Sequence, residues 1–230
     1  VISLADASVI ARSPKEEVFA QIIADLKDAE TVLPASYQPD DKGRATSGSA
    51  KGLLANVYLW TGDKTNAAAK ALEVINSNQY SLWTNYGDNF KLENENGKES
   101  IIEIQYRNGN QTFSDYGQGQ KLNTFFGPRF QYIVASGGYG WNVPTLSLVQ
   151  SYERTNPADL TTIIDKRRPS SMWMPGDTDD SLTYTQPAAL VGSPYGFNVR
   201  KYFVPIYNTA GDVGGWSCAL NVPFMRYSEI

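Results

Sequence analysis

The chain has 230 residues, enough for one large domain or two small ones with a substantial core. A net charge of −4, from 20 basic and 24 acidic residues without a basic run, argues against nucleic acid as the main partner. Histidine is absent, which removes the usual general base, the usual zinc ligand and the Ser-His-Asp mechanism together, and the single cysteine, Cys218, permits neither a disulfide nor a thiolate cluster within the chain and reads as a buried thiol.

No stretch reaches the ~18 to 20 apolar residues of a membrane-spanning helix. The first residues, VISLADAS, have neither the basic start nor the apolar segment of a signal peptide, so any leader is expected outside this sequence. The first predicted helix follows Ser13. Ser13 and Glu16 stand at capping-box spacing, Pro14 suits the first helical position, Val18, Phe19, Ile22, Ile23, Leu26, Ala29 and Leu33 form a buried face, and Pro34 stops the helix.

GRATSGSAKGLLANVYLWTGD, residues 43–63, carries Ala50, Leu53, Leu54, Val57, Tyr58 and Trp60 at three- and four-residue steps, which predicts a helix over 46–61 closed by Gly62-Asp63. Ala67, Ala68, Ala71, Leu72, Val74 and Ile75 predict a second helix through Ser77. The pair spans about 34 residues, the period of a tetratricopeptide unit, whose apolar face a neighbour normally covers. Trp60 and Trp83 read as packing residues of this hairpin and its exit.

Beyond a turn-rich stretch, ESIIEIQY (99–106) alternates as a half-buried strand with Ile102, Ile104 and Tyr106 inward and Glu103 and Gln105 outward. From Arg107 to Tyr139 the sequence is irregular yet rich in aromatics, which disfavours disorder. Pro144 opens a short helix whose Leu146, Leu148, Val149 and Tyr152 face a core. Residues 170–217 read as loops and short strands, and NVPFMRYSEI as the start of a helix capped by Asn221. The predicted class is mainly α: tetratricopeptide-like hairpins over about 13–78, with an irregular loop and short-strand subdomain over about 79–220. No composition break marks a linker, so 1–230 is read as one unit, cut at both ends.

A sugar ring offers a C–H face and a rim of hydroxyls, so its binder needs an aromatic platform beside hydrogen-bonding groups. Tyr139, Trp141 and Asn142 in GGYGWNVP supply that combination on a glycine-flanked loop. Trp173 and Trp216 sit in similar Gly-, Pro- or Ser-rich settings. Asn198 and Arg200 are either hydroxyl ligands or strand residues that are solvated or paired with carboxylates. Asp177, Asp179 and Asp180 alternate as in a calcium loop but lack the full 12-residue pattern, and a solvated turn is the better reading.

Several segments, in order, resemble the SusD/RagB family. SPKEEVFAQIIADLKDAETVLP is similar to the family's helix before the repeat, GRATSGSAKGLLANVYLWTGD to its most recognisable segment, and ALEVINSNQYSL to the helix and turn after it. ESIIEIQY, VPTLSLVQSYE with DKRRPSSMW, KYFVPIY and NVPFMRYSEI resemble its first strand, Pro-Thr helix with Asp-Pro-Arg region, Lys-Tyr strand and late Arg-Tyr-Ala-Glu helix. The departures are Asp165-Lys166-Arg167 for Asp-Pro-Arg and Arg226-Tyr227-Ser228-Glu229 for Arg-Tyr-Ala-Glu.

The resemblance implies a surface-exposed outer-membrane lipoprotein of Gram-negative bacteria, anchored by a lipidated cysteine outside these residues, that binds oligosaccharide or polysaccharide beside a SusC-like TonB-dependent transporter. No cofactor, metal or nucleic acid is implied. It also implies a ligand arc of loop aromatics after the first strand, which here supplies Phe126, Phe130, Tyr132, Tyr139 and Trp141; Phe126, Phe130 and Tyr132 have the alternative reading of packing residues. Two other functions compete. A glycosidase would need a carboxylate pair such as Glu93 with Glu95 or Asp177 with Asp180, yet neither pair has the apolar surround that raises an acid's pKa. A tetratricopeptide-type scaffold would bind a protein partner through the helices.

Overall fold

A computed structural model describes residues 11–107, 119–134, 137–205 and 217–230. Its contacts divide the chain into two compact units, Val1–Ser81 with Met225–Ile230, and Leu82–Phe224. The first is helical: α1 (Lys15–Val32), α2 (Ser47–Thr61) and α3 (Lys64–Asn76). The mainly α, tetratricopeptide-like expectation is borne out.

Helix α2 begins at a reciprocal capping box, in which the Thr46 side chain accepts from the Ser49 N–H and the Ser49 side chain accepts from the Thr46 N–H. It ends at Gly62, whose φ of 87° lies in the left-handed region that only glycine adopts without strain. The Asp63 carboxylate then accepts from the Asn66 N–H at 3.0 Å and caps α3. Lys70 bridges α3 to Glu30 of α1 at 2.8 Å, and Lys51 of α2 reaches Glu73 of α3 at 3.1 Å, so ion pairs join all three helices.

Several predicted faces are narrower than their spacing implied. Ser13 makes no cap on α1, whose apolar residues are half-buried rather than buried; Val18 is exposed. On α3 the covered line is Ala67, Lys70, Ala71 and Val74, whereas Leu72 and Ile75 stay exposed. Trp60 is 72% exposed, which overturns its reading as a packing residue.

The second unit is built from short elements around apolar clusters. It contains β1 (Ser100–Ile104), α4 (Leu122–Phe126), α5 (Leu146–Ser151), α6 (Arg168–Ser171), β2 (Met172–Trp173), β3 (Thr178–Asp179), β4 (Tyr184–Thr185) and β5 (Asn198–Val199). The last strand, β6 (Val222–Arg226), pairs with β1; β2 pairs antiparallel with β5, and β3 with β4. Ile133, Val134, Trp173 and Tyr184 form one cluster, and Val149, Met172, Met174 and Phe197 another. Cys218 is fully buried and accepts from Gln120 Nε2 at 2.9 Å, in keeping with a packed thiol.

Strand β1 has the opposite parity from the one its apolar residues predicted: Ile101 and Glu103 are buried and Ile104 is exposed. The carboxylate goes inward because it has donors there, the Asn96 N–H at 2.9 Å and Asn221 Nδ2 at 3.0 Å. The same amide explains the C-terminal segment. Asn221 caps no helix; its Oδ1 accepts from the Tyr106 N–H at 2.7 Å, and strand β6 follows, then a single 3-10 turn at Tyr227–Glu229.

Gly62→Ala tests the hairpin. A Cβ there meets no atom within 4 Å, so the cost is purely conformational, and we expect a loss of about 1 kcal/mol in urea denaturation. An unchanged midpoint would mean that the left-handed turn is not what closes α2.

Candidate functional site

Three exposed aromatics of the second unit, Phe130, Tyr132 and Trp141, lie on one loop. Asn123 of α4 fixes its base: the amide donates to the Val204 carbonyl and accepts from the Val204 N–H, each at 3.0 Å in buried surroundings. The chain then leaves α4, turns at Pro128, and comes back along the helix it left. Tyr139, Gly140 and Trp141 donate their N–H groups to the carbonyls of Thr124, Gly127 and Phe125 at 2.9, 2.9 and 2.8 Å.

Glycine makes that return path possible. A Cβ on Gly138, where φ is 63°, would stand 2.5 Å from the Pro128 carbonyl oxygen and 2.7 Å from that of Gly127. The backbone register sets the side chains. Trp141 stacks on Phe125 with ring centroids 4.6 Å apart and planes 6° from parallel, and Tyr139 closes on both rings at 5.7 Å. With one face against Phe125, Trp141 remains 53% exposed.

Phe130 and Tyr132 are 59% and 76% exposed, so neither packs in a core. Phe130 holds a φ of 58°, a conformation costly for a bulky residue, and the Arg129 guanidinium lies 5.1 Å from its ring centroid. Gly137 passes under the Tyr132 ring, where a Cβ would come within 3.2 Å. Asn142, also left-handed at φ 56°, is exposed beside Trp141. Phe126 is half-buried, 6.1 Å from the Tyr202 ring.

Trp173 does not belong to this surface. It is fully buried, edge-on to Tyr184 and Phe203 at 5.5 Å, with Arg200 3.8 Å over its ring, so no face is left for a ligand. Asn198 is fully buried and Arg200 faces Asp179 at 3.6 Å; neither is offered to solvent as a hydroxyl ligand. Asp177 is held by Arg168 and accepts from the Met174 N–H at 2.8 Å, which makes the acidic turn a set of arginine partners. Trp216 lies outside the described residues. Two residues that sequence reasoning passed over join the picture. Arg129 carries no motif, and Tyr195, 51% exposed and stacked on Phe197 at 5.7 Å, follows Pro194 in a loop that looked like plain turn sequence.

No family model matches the sequence. Over 164 residues it is 34% identical to a SusD-like protein of Bacteroides ovatus, a match covering 65% of this chain and 28% of the relative. A SusD-like protein of Formosa agariphila is 28% identical over 239 aligned positions, covering 99% of this chain and 44% of the relative. In sequence the chain is similar to SusD-like proteins, over part of each relative's length. Among solved structures, surface glycan-binding protein A from Bacteroides thetaiotaomicron, in complex with laminarihexaose, has the same fold at a TM-score of 0.71 and 23% identity, over 93% of this chain and 48% of that one. The chain thus spans less than half the length of these relatives.

One expectation about its acids needs correction. Glu95 is not in an unperturbed charged loop: burial, with the Glu103 carboxylate nearby, pushes it up to about 7 against the opposing bond from the Asn221 N–H. Oε1 takes that N–H at 2.7 Å, while Asn221 Nδ2 holds Glu103. The group therefore stands within the network that fixes the start of β6.

Because Glu95 binds its proton more tightly folded than unfolded, its contribution to stability grows as pH falls through about 7 and is lost as pH rises. Asp88 and Asp165 act oppositely, held low by hydrogen bonds from Lys91 and Arg167, but only below the ordinary carboxylate range. Between about pH 8 and 5.5 we expect urea stability to rise on acidification in the native chain and to be flat in Glu95→Gln. A slope surviving in Glu95→Gln would assign the effect to another group.

Proposed function

We propose that this chain is the part of a non-catalytic glycan-binding protein that captures oligosaccharide or polysaccharide at the bacterial cell surface and delivers it to a SusC-like TonB-dependent transporter. In this reading it sits at the outer membrane through a lipid anchor, and the helical and loop-rich units serve as one SusD-like unit. The observation that carries the reading is the Trp141 platform, one ring face backed by Phe125 and half the residue open to solvent. Tyr139 packs beside it, Asn142 follows it in sequence, Phe130 and Tyr132 are exposed on the same loop, and Phe126 is half-buried. The similarity to SusD-like proteins supports the same reading, as does the laminarihexaose bound by a protein of the same fold.

Roughly 100 Å² of Trp surface covered by a sugar contributes on the order of 2.5 kcal/mol before the cost of immobilising a flexible chain. One platform thus gives weak binding, and repeated engagement along a polymer raises the effective concentration.

A tetratricopeptide-type protein-interaction scaffold is the second reading. It is favoured by Leu59, Trp60 and Leu72 of the helical unit, each more than half exposed. The two readings are separable and compatible.

Calorimetric titration against laminarihexaose and a panel of plant, microbial and host glycans tests the first. Trp141→Ala is expected to weaken binding by roughly tenfold or more, following the area estimate above. Trp60→Ala is the matched control on the helical unit and is expected to leave glycan affinity within about twofold. Unchanged affinity in Trp141→Ala would move the site elsewhere, and product release from any glycan would sink the non-catalytic reading.

A further inference from the structure

The charges around the platform differ from those of the rest of the chain. Acidic residues number 24 in 230, about one in ten, yet none occurs between Asp115 and Glu153 or between Asp180 and Asp212. Those two acid-free runs contain Lys121, Arg129, Arg200 and Lys201. They meet at Arg129. Gly140, the residue before Trp141, comes so close that its Cβ would stand 3.0 Å from Arg129 Cβ. From the second run, Gly192 would place a Cβ 3.8 Å from Arg129 Nη1.

Three other arginines of this unit are paired with aspartates, Arg200 of the second run among them. Arg167 grips Asp165 through Nε and Nη2 at 2.9 and 2.6 Å, Arg168 holds Asp177, and Arg200 faces Asp179. Arg129 has no carboxylate partner among the described residues, and its guanidinium lies over the Phe130 ring. A guanidinium held on an aromatic ring keeps its fork of N–H donors for a planar or tetrahedral oxyanion.

We propose that this platform selects acidic saccharides, and that Arg129 reads the carboxylate or sulfate carried by the sugar beside the one stacked on Trp141. This rests on the glycan-platform reading and narrows its substrate class. Trp141 supplies affinity that any pyranose face can use; Arg129, with no carboxylate partner among the described residues, supplies the discrimination against neutral chains.

The test uses the full chain and three probes of similar length: a galacturonate hexamer, a sulfated galactan oligosaccharide and neutral laminarihexaose. We expect at least one acidic probe to bind more tightly than laminarihexaose, with affinity that falls as salt rises from about 50 to 300 mM. The two acidic arms separate carboxylate from sulfate recognition. Arg129→Gln is expected to lower the ratio of acidic to neutral affinity by roughly tenfold or more, and Arg129→Lys to retain part of it. Thermal unfolding of each variant controls for misfolding.

Laminarihexaose binding as tightly as both acidic probes, or Arg129→Gln weakening acidic and neutral probes equally, overturns the proposal. If neutral binding is then still lost in Trp141→Ala, the platform reading survives without it. Acidic binding that is insensitive to Trp141→Ala overturns the platform reading instead, and no binding of any probe overturns both.

Discussion

The site depends on one backbone approach. Three N–H groups of residues 139–141 reach the carbonyls of 124, 125 and 127, and Gly138 must pass within van der Waals reach of the Pro128 and Gly127 oxygens for them to do so. No side chain fits there, since any Cβ would overlap both oxygens, and φ is positive as well. The register lays Trp141 flat on Phe125, so the orientation of the aromatic platform follows from hydrogen bonds that contain no aromatic atom. Asn123 joins that arrangement to the buried Val204 backbone. A platform fixed in this way needs little ordering when a ligand arrives, which lowers one of the main costs of binding a flexible glycan.

The helical unit was legible because its signals are local. Gly62-Asp63 closes α2 where predicted, and Thr46, Ser49 and Asp63 cap their helices within three residues of themselves, although the predicted Ser13 cap does not form. What spacing could not reveal was how much of each helix face finds a neighbour. Leu72 and Ile75 have the periodicity of buried residues and remain open, and Trp60 joins them. Periodicity reports which side of a helix is apolar; coverage is a property of the other elements present.

The loop-rich unit was legible only in part, for a different reason. Here the decisive contacts join residues about a hundred positions apart, such as Asn221 with Glu103 and Tyr106. Such contacts inverted β1 against its hydrophobic pattern and turned a predicted C-terminal helix into strand β6, because satisfying a buried carboxylate outweighed facing Ile104 inward. The tryptophans divided the same way. Glycine flanks Trp141 and leaves it open, whereas Trp173 stands on a strand whose partner, across the register to Asn198, carries it into the core.

Charge placement sets Arg129 apart from three other arginines of this unit. Arg167, Arg168 and Arg200 are neutralised by aspartates two, nine and twenty-one residues away in sequence; they fix turns, and an incoming ligand would have to displace an internal partner to use them. Arg129 has no carboxylate partner among the described residues and lies beside glycines that bring backbone rather than side chains close. Solvent alone would satisfy that cation, but it would not require the absence of acids from two separate runs that converge on one residue. A recognition surface would, since a carboxylate beside Arg129 would compete with the ligand's own anion for the same donors. Under the proposed reading, the aromatic stack and the unpaired Arg129 are complementary features of one surface, the first tolerant of any sugar face and the second sensitive to its charge.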